Sequence, residues 1–320
     1  MSKLNRQEAL ERLVAESAAT EQLFEKPLGQ WRLALRRFRG RKSGMVGLFL
    51  ITSLILIAIF APLIAPYEPN EDLIGEQDVR RYQDPCIHLL GCPDEEPQHW
   101  MGIDGNVRDY YSRIIYGSRV SLQLGFFTVT LALFVGSAIG ALAGYLGGWF
   151  DNIVMRFMDV ILGFPALLLA IAIVAVLGAG LRNALIAIAI VTLPGYARVM
   201  RAQVLAIKES DFVAASQALG ASPMQVLIRR VVPNAMTPLV VLATLGVATA
   251  ILEAAGLSFL GLGAQPPLAE WGSMLADYRN LVFTAPHLVF YPGLAIMITV
   301  LGFNLMGDGL RDALDPTLNR

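Results

Sequence analysis

An all-α fold with six membrane-spanning helices is predicted, and three features of the sequence carry the prediction. The 320-residue chain is 55% hydrophobic and only 16% charged, with a mean hydropathy of +0.55, which is the composition of a polytopic membrane protein. Charge-poor runs of membrane-crossing length recur six times. The charges between them are segregated by side, so a formal net charge of −1 says little about partners.

Residues 1–43 precede the first span. Leu10, Leu13, Val14 and Ala18 recur at helical spacing within a polar stretch, which predicts an amphipathic helix over residues 1–26. Pro27 and Gly29 end it. In the basic run that follows, Trp31, Ala34, Leu35 and Phe38 share one face and Arg32, Arg36 and Arg39 another. That pattern suits a short helix in the membrane interface with its arginines on lipid headgroups. An apolar span follows at once, so this basic cluster is not read as a nucleic-acid site. The opening residues lack an early apolar core, so no cleavable signal peptide is expected.

The first span, residues 44–67, carries no charge and closes at Pro62 and Pro66. Residues 68–118 form a long hydrophilic segment, and between Glu68 and Asp109 it holds eleven acidic residues against three arginines, the bias of an extracytoplasmic segment. The second span is placed within roughly residues 120–145. Gly136, Gly140 and Gly144, spaced by four, would let a neighbouring backbone approach closely. The third span is expected over residues 152–177, kinked at Pro165, with Arg156 and Asp159 paired at its start. The fourth covers about 183–208, the fifth 234–257 and the sixth 288–306. Residues 119–308 thus form a five-span core, and 309–320 a polar tail. The loops balance their charge with both termini cytoplasmic.

The chain turns on its longest punctuated polar interruption, DFVAASQALGASPMQVLIRRVVP, within a loop over residues 210–233. Asp211 can cap a short helix ending at Gly220. Ser222 and Pro223 read as N-cap and first residue of a second helix. Arg198, Arg201, Lys208, Arg229 and Arg230 put the loop in the cytoplasm. Two short helices at an angle would make a docking knob for a partner protein.

This stretch resembles the "EAA" coupling loop of bacterial ABC importer permeases. Gly220, Ile228 and Pro233 fit that pattern, while Ala214-Ala215-Ser216 stands where Glu-Ala-Ala is usual. Residues 99–122, HWMGIDGNVRDYYSRIIYGSRVSL, are similar to the C-type permease chain of dipeptide and oligopeptide importers. So are 144–171, GYLGGWFDNIVMRFMDVILGFPALLLAI, and 252–275, LEAAGLSFLGLGAQPPLAEWGSML. Asp104, Arg108 and Asp109 match the family there, while Ile103 and Asn106-Val107 depart from it. The resemblance implies a type I importer fold and a second, homologous permease subunit. It also implies two ATP-binding subunits at the coupling loops and an extracytoplasmic binding protein. The coupling residues it implies are Asp211, Phe212, Ala214, Ala215, Gly220, Ser222 and Pro223, with Arg229 and Arg230 either holding a partner's carboxylates or anchoring the interface. The imported molecule would be a di- or oligopeptide, with nickel chelates and oligosaccharides as alternatives.

The rest of the chemistry is sparse. No G-x-x-x-x-G-K-[ST] loop occurs: Gly40-Arg41-Lys42-Ser43 lacks the glycine before lysine, so ATP and Mg belong to partner chains. No G-x-S-x-G elbow occurs either, so no enzymatic activity is expected of this chain. An ion-driven secondary transporter is the alternative of another class; internal repeats would favour it, and none is evident. Glu253, in an apolar context near the outer end of span five, is the pathway candidate. It reads as a substrate contact, a partner for a basic residue of the second permease, or a structural hydrogen-bonding group. Cys86 and Cys92 lie in the outer segment. They read as a disulfide, as free thiols, or with His88 and His99 as a metal site of non-standard spacing.

Overall fold

The structure, a computed structural model, describes residues 30–314. The helix predicted over residues 1–26 and the end of the tail lie outside the described residues. Five helices are each long and apolar enough to cross a membrane, and one bent pair makes a sixth crossing if it counts as one span. Among the described residues there are no strands, only three isolated β-bridges in the outer segment.

α1 (Gln30–Arg39) ends on Arg36, Arg37 and Arg39, cations that suit a helix C-terminus. Phe38 is buried against Gly44 and Gly309. α2 (Lys42–Ile59) closes earlier than the predicted 44–67 span. Its 18 residues reach about 27 Å, close to the bilayer core. Arg119 ends it by donating to the carbonyls of Ala58 and Ile59. A four-residue helix, α3 (Ala61–Ile64), follows.

α4 (Tyr110–Leu146) starts ten residues before the predicted second span, so the boundary drawn at residue 118 falls inside a helix. Asp109 sets the start: its carboxylate accepts from Ser112 N at 2.7 Å and from Ser112 Oγ at 2.6 Å. At its other end α4 packs along α7 (Leu181–Ile207), the most extensive helix pair among the described residues. Gly136, Gly140 and Gly144 line that seam. A Cβ on Gly136 would stand 2.7 Å from the Leu193 carbonyl oxygen, and one on Gly140 would overlap the Ala197 carbonyl. Apolar burial gives spans little drive to associate in lipid, so close backbone approach of this kind carries the packing.

The third span is where the structure departs most from expectation. Instead of one kinked helix there are two, α5 (Gly148–Leu162) and α6 (Ala166–Leu177), bent by 94°. Pro165 cannot donate a backbone hydrogen bond and pushes Phe164 out of helical geometry, so the helix stops and restarts. The twelve residues of α6 reach only about 18 Å, short of a full crossing. The expected Arg156–Asp159 pair is also absent. Asp159 instead meets Arg198 of α7 at 2.7 Å.

α8 (Asp211–Ala218) is a separate short helix, but α9 (Pro223–Val226) is not. It runs through a π turn at Leu227–Val231 into α10 (Val232–Phe259) without a break. The expected second angled helix is therefore the foot of span five. Pro233 has no N–H to give back to the turn before it, and the wider π turn absorbs the missing bond. Asn234 Nδ2 donates to Arg230 O at 2.6 Å beside it.

Residues 257–287, between the fifth and sixth expected spans, contain α11 (Trp271–Tyr278). Trp271 is fully buried and its Nε1 donates to Ile114 O at 3.0 Å. With Tyr110, Tyr278 and Leu288 it builds a second, outer apolar cluster. α12 (His287–Leu314) then packs on α2 and continues well past the expected end at 306, so residues 309–314 of the expected polar tail are helical.

Candidate functional site

The loop that resembles a coupling loop is built by local chemistry. Ser210, rather than Asp211, is the N-cap of α8, with its backbone extended at φ −78° and ψ 150°. Asp211 is the first helical residue, where its negative charge suits the helix dipole. The helix ends in a Schellman turn: Gly220 N donates to Gln217 O at 2.9 Å and Ala221 N to Ser216 O at 3.2 Å. Gly220 takes φ +83° with open space around it. Ser222 caps α9, accepting from Gln225 N at 3.4 Å, and Pro223 opens it.

The two sides of α8 differ. Val213 is fully buried against the body of the molecule with Val226, Leu227 and Val231. Phe212, Ala215 and Leu219, at i, i+3 and i+7, share the exposed side. Leu219 is 89% exposed, and Met224 and Ile228 also stand out. Ala214, Arg229 and Arg230 are exposed beside them. The result is an apolar patch with a basic margin. The sequence reading missed Leu219, although its spacing from Phe212 was visible.

The loop is tied upward by ion pairs that the sequence reading did not find. Arg201, near the end of α7, meets Asp151 of α5 through two bonds of 2.5 and 2.6 Å. Lys208 Nζ donates to Gly144 O at 3.3 Å. Together with Arg198–Asp159, these fasten the foot of α7 to α5 and to the end of α4. The foot of α7, which leads directly into α8, is thereby fastened to the first half of the broken third span.

At the other end of the molecule, Cys86 and Cys92 are disulfide-bonded with Cα atoms 5.4 Å apart. His99 is buried between Asp109, at 2.8 Å, and Gln77, at 3.0 Å. With both sulfurs joined and both ring nitrogens engaged, the Cys86–His88–Cys92–His99 ligand set does not form. Asp104 is fully buried and takes Arg108 at 2.7 Å, with Arg113 at 3.4 Å. These residues clamp the outer segment onto the start of α4. Glu270, also unforeseen, is buried and accepts from Gly272 N and Ser273 N at 2.9 Å each. Ser121 of α4 donates to it at 3.2 Å, so it fastens α11 to the second span. Glu253 lies far from the coupling loop, on the outer part of α10, and is partly buried.

Comparison with known proteins agrees with this architecture. A profile of the family described as "Binding-protein-dependent transport system inner membrane component" matches residues 136–320. The "N-terminal TM domain of oligopeptide transport permease C" matches residues 29–85. The chain is 49% identical over 288 residues to the dipeptide transport system permease protein DppC of Alkalihalophilus pseudofirmus, covering 90% of each. It is 44% identical to the glutathione transport system permease protein GsiD of Escherichia coli, over 90% of this chain and 91% of that one. Among solved structures, an inward-facing form of the MetNI methionine ABC transporter superposes with a TM-score of 0.53 at 20% identity. That match covers 63% of this chain and 96% of the other, and it speaks to the fold.

Proposed function

The chain belongs to the binding-protein-dependent transport system inner membrane components, and from that premise we propose that it forms half of the translocation pore of an ATP-driven peptide importer. It is a multi-pass inner-membrane permease subunit. A second, homologous permease chain would complete the pore, and two ATP-binding subunits would grip the coupling loops. An extracytoplasmic binding protein would deliver a di- or oligopeptide. The relatives named for dipeptide and for glutathione favour a peptide cargo over a nickel chelate or a sugar.

The observation that carries the reading is the exposed patch of Phe212, Ala215 and Leu219 on a helix whose other side is locked into the core. A partner that seats that patch moves the span bundle with it. ATP binding would draw the two ATPase chains together and shift α8. The Arg201–Asp151 and Arg198–Asp159 pairs would carry the shift into α5 and α6, opening the pore outward; hydrolysis would reset it. In this reading both termini face the cytoplasm, and the chain itself holds no nucleotide.

The test is reconstitution. The chain should co-purify with two ATPase chains and a second permease. In proteoliposomes, loaded binding protein should stimulate ATP hydrolysis and labelled dipeptide should accumulate. Purification without ATPase chains, or accumulation driven by an ion gradient without ATP, would overturn the proposal.

A further inference from the structure

Charged side chains within the helical bundle are mostly paired or lie at helix ends: Asp151 meets Arg201 and Asp159 meets Arg198, and Arg119 sits on the carbonyls that end α2. Glu253 is different. It lies six residues before the last residue of α10, Phe259, and so about 9 Å inside that helix. It is the only ionisable residue on α10 or on α6. Its buried oxygen, Oε2, has no hydrogen-bond partner among the described residues, and no ion pair involves it there. A lone carboxylate in an apolar wall is costly, and the cost is relieved only when a cation or donor arrives.

The surroundings say where that cation comes from. Gly256, one turn on and sharing Glu253's side of the helix, faces α6: a Cβ there would lie 3.8 Å from Leu167 Cδ1. Thr249, one turn back, is exposed, and Glu253 itself is partly exposed. The carboxylate thus opens beside the seam between span five and the outer half of the broken third span, where α6 is wholly apolar. Across the break at Gly163–Pro165 that half-span continues from α5, whose Asp151 and Asp159 pair with α7.

Resting on the reading of this chain as a peptide permease, we propose that Glu253 receives the α-ammonium group of the peptide in transit. Dipeptides and glutathione share a free α-ammonium whatever their side chains, so one acidic residue in an apolar wall recognises the class without selecting among its members. A single carboxylate with no accompanying donors also suits passage, since a transported molecule must leave its site as readily as it enters.

The experiment uses the full complex in proteoliposomes with saturating binding protein, loaded with either a labelled dipeptide or its N-acetyl form. Import is counted per loaded binding protein. The wild type should import the free dipeptide about ten-fold faster. Glu253→Gln should bring that ratio toward one, and Glu253→Asp, which keeps the charge, should retain it at a lower rate. A Glu253→Gln complex that still prefers the free amine, at any overall rate, overturns the proposal. So does one that fails to assemble while Glu253→Asp assembles, because Glu253 would then be pairing with the second permease chain. If the wild type imports neither form, the peptide reading fails and this inference falls with it.

Discussion

Gly220 holds φ +83° with no atom within 4 Å of a would-be Cβ, so replacing it costs through backbone strain alone. That strain is about 1–2 kcal/mol for an ordinary residue in the left-handed region. Gly220→Leu should misplace Leu219 and Ala221 and so loosen the coupling patch. Peptide imported per ATP hydrolysed should fall several-fold, while Gly220→Asn, which tolerates that geometry, should stay near wild type. Equal ratios for all three proteins would show that the turn does not transmit. Glu270 offers a second test. Burial pushes its carboxyl above the ordinary 4.5, against the backbone N–H groups of Gly272 and Ser273, which pull it down. A raised carboxyl pKa contributes stability most fully below pH 4.5 and loses it as pH rises through the folded-state value. The Tm of wild type minus that of Glu270→Gln should therefore fall as pH is raised from 4 to 7; a constant difference would remove Glu270 as the titrating group. Gly220 was legible in the sequence because a Schellman turn is set by neighbours. Glu270 was not, because its burial depends on Ser121, 149 positions away.

At the scale of elements, the glycine interval on α4 was readable as a packing seam, since small residues every four positions form one stripe. The partner was not readable: only the fold reveals that α7 lies there with the Ala197 carbonyl against Gly140. Gly140→Ala has no flexible side chain to displace, so the added methyl must push the α4 and α7 backbones apart. A loss of about 3 kcal/mol is expected, seen as a drop in Tm in detergent, with Gly195→Ala, which meets nothing within 4 Å, as the comparison. A Gly140→Ala protein as stable as wild type would mean the seam is looser than described. Pro165 was read as a kink because sequence shows the lost hydrogen bond but not the angle. The two pairs from α5 to α7 were missed for a related reason. Arg198 and Arg201 served as evidence of cytoplasmic position, and Asp159 was assigned to Arg156 on its own helix. Helical spacing ranks local pairs first, while the 94° bend brings Asp151 and Asp159 across to α7.

For the molecule as a whole, apolar exposure does not by itself mark an interface, because lipid covers such surfaces as readily as protein does. Phe150, Ile153, Phe157 and Val160 form an exposed apolar row on α5 that either could cover. The aqueous ends are more informative, since there an exposed apolar side chain meets water. Leu219 is 89% exposed at one end of the bundle and Phe283 is 95% exposed in the segment between α11 and α12. Span five separates these two positions, and in the proposed reading, in which the basic residues around α8 face inward, Leu219 is cytoplasmic and Phe283 extracytoplasmic. Cys86 and Cys92 are joined to each other and do not react with maleimides, so a single added cysteine reports cleanly. An impermeant maleimide should label Phe283→Cys from the outer face of the inner membrane and leave Leu219→Cys untouched. In inverted vesicles the pattern should reverse, and added ATPase chains should then protect Leu219→Cys. Labelling of Leu219→Cys from the outer face would put the coupling patch out of reach of any cytoplasmic ATPase, whatever the strength of the family likeness.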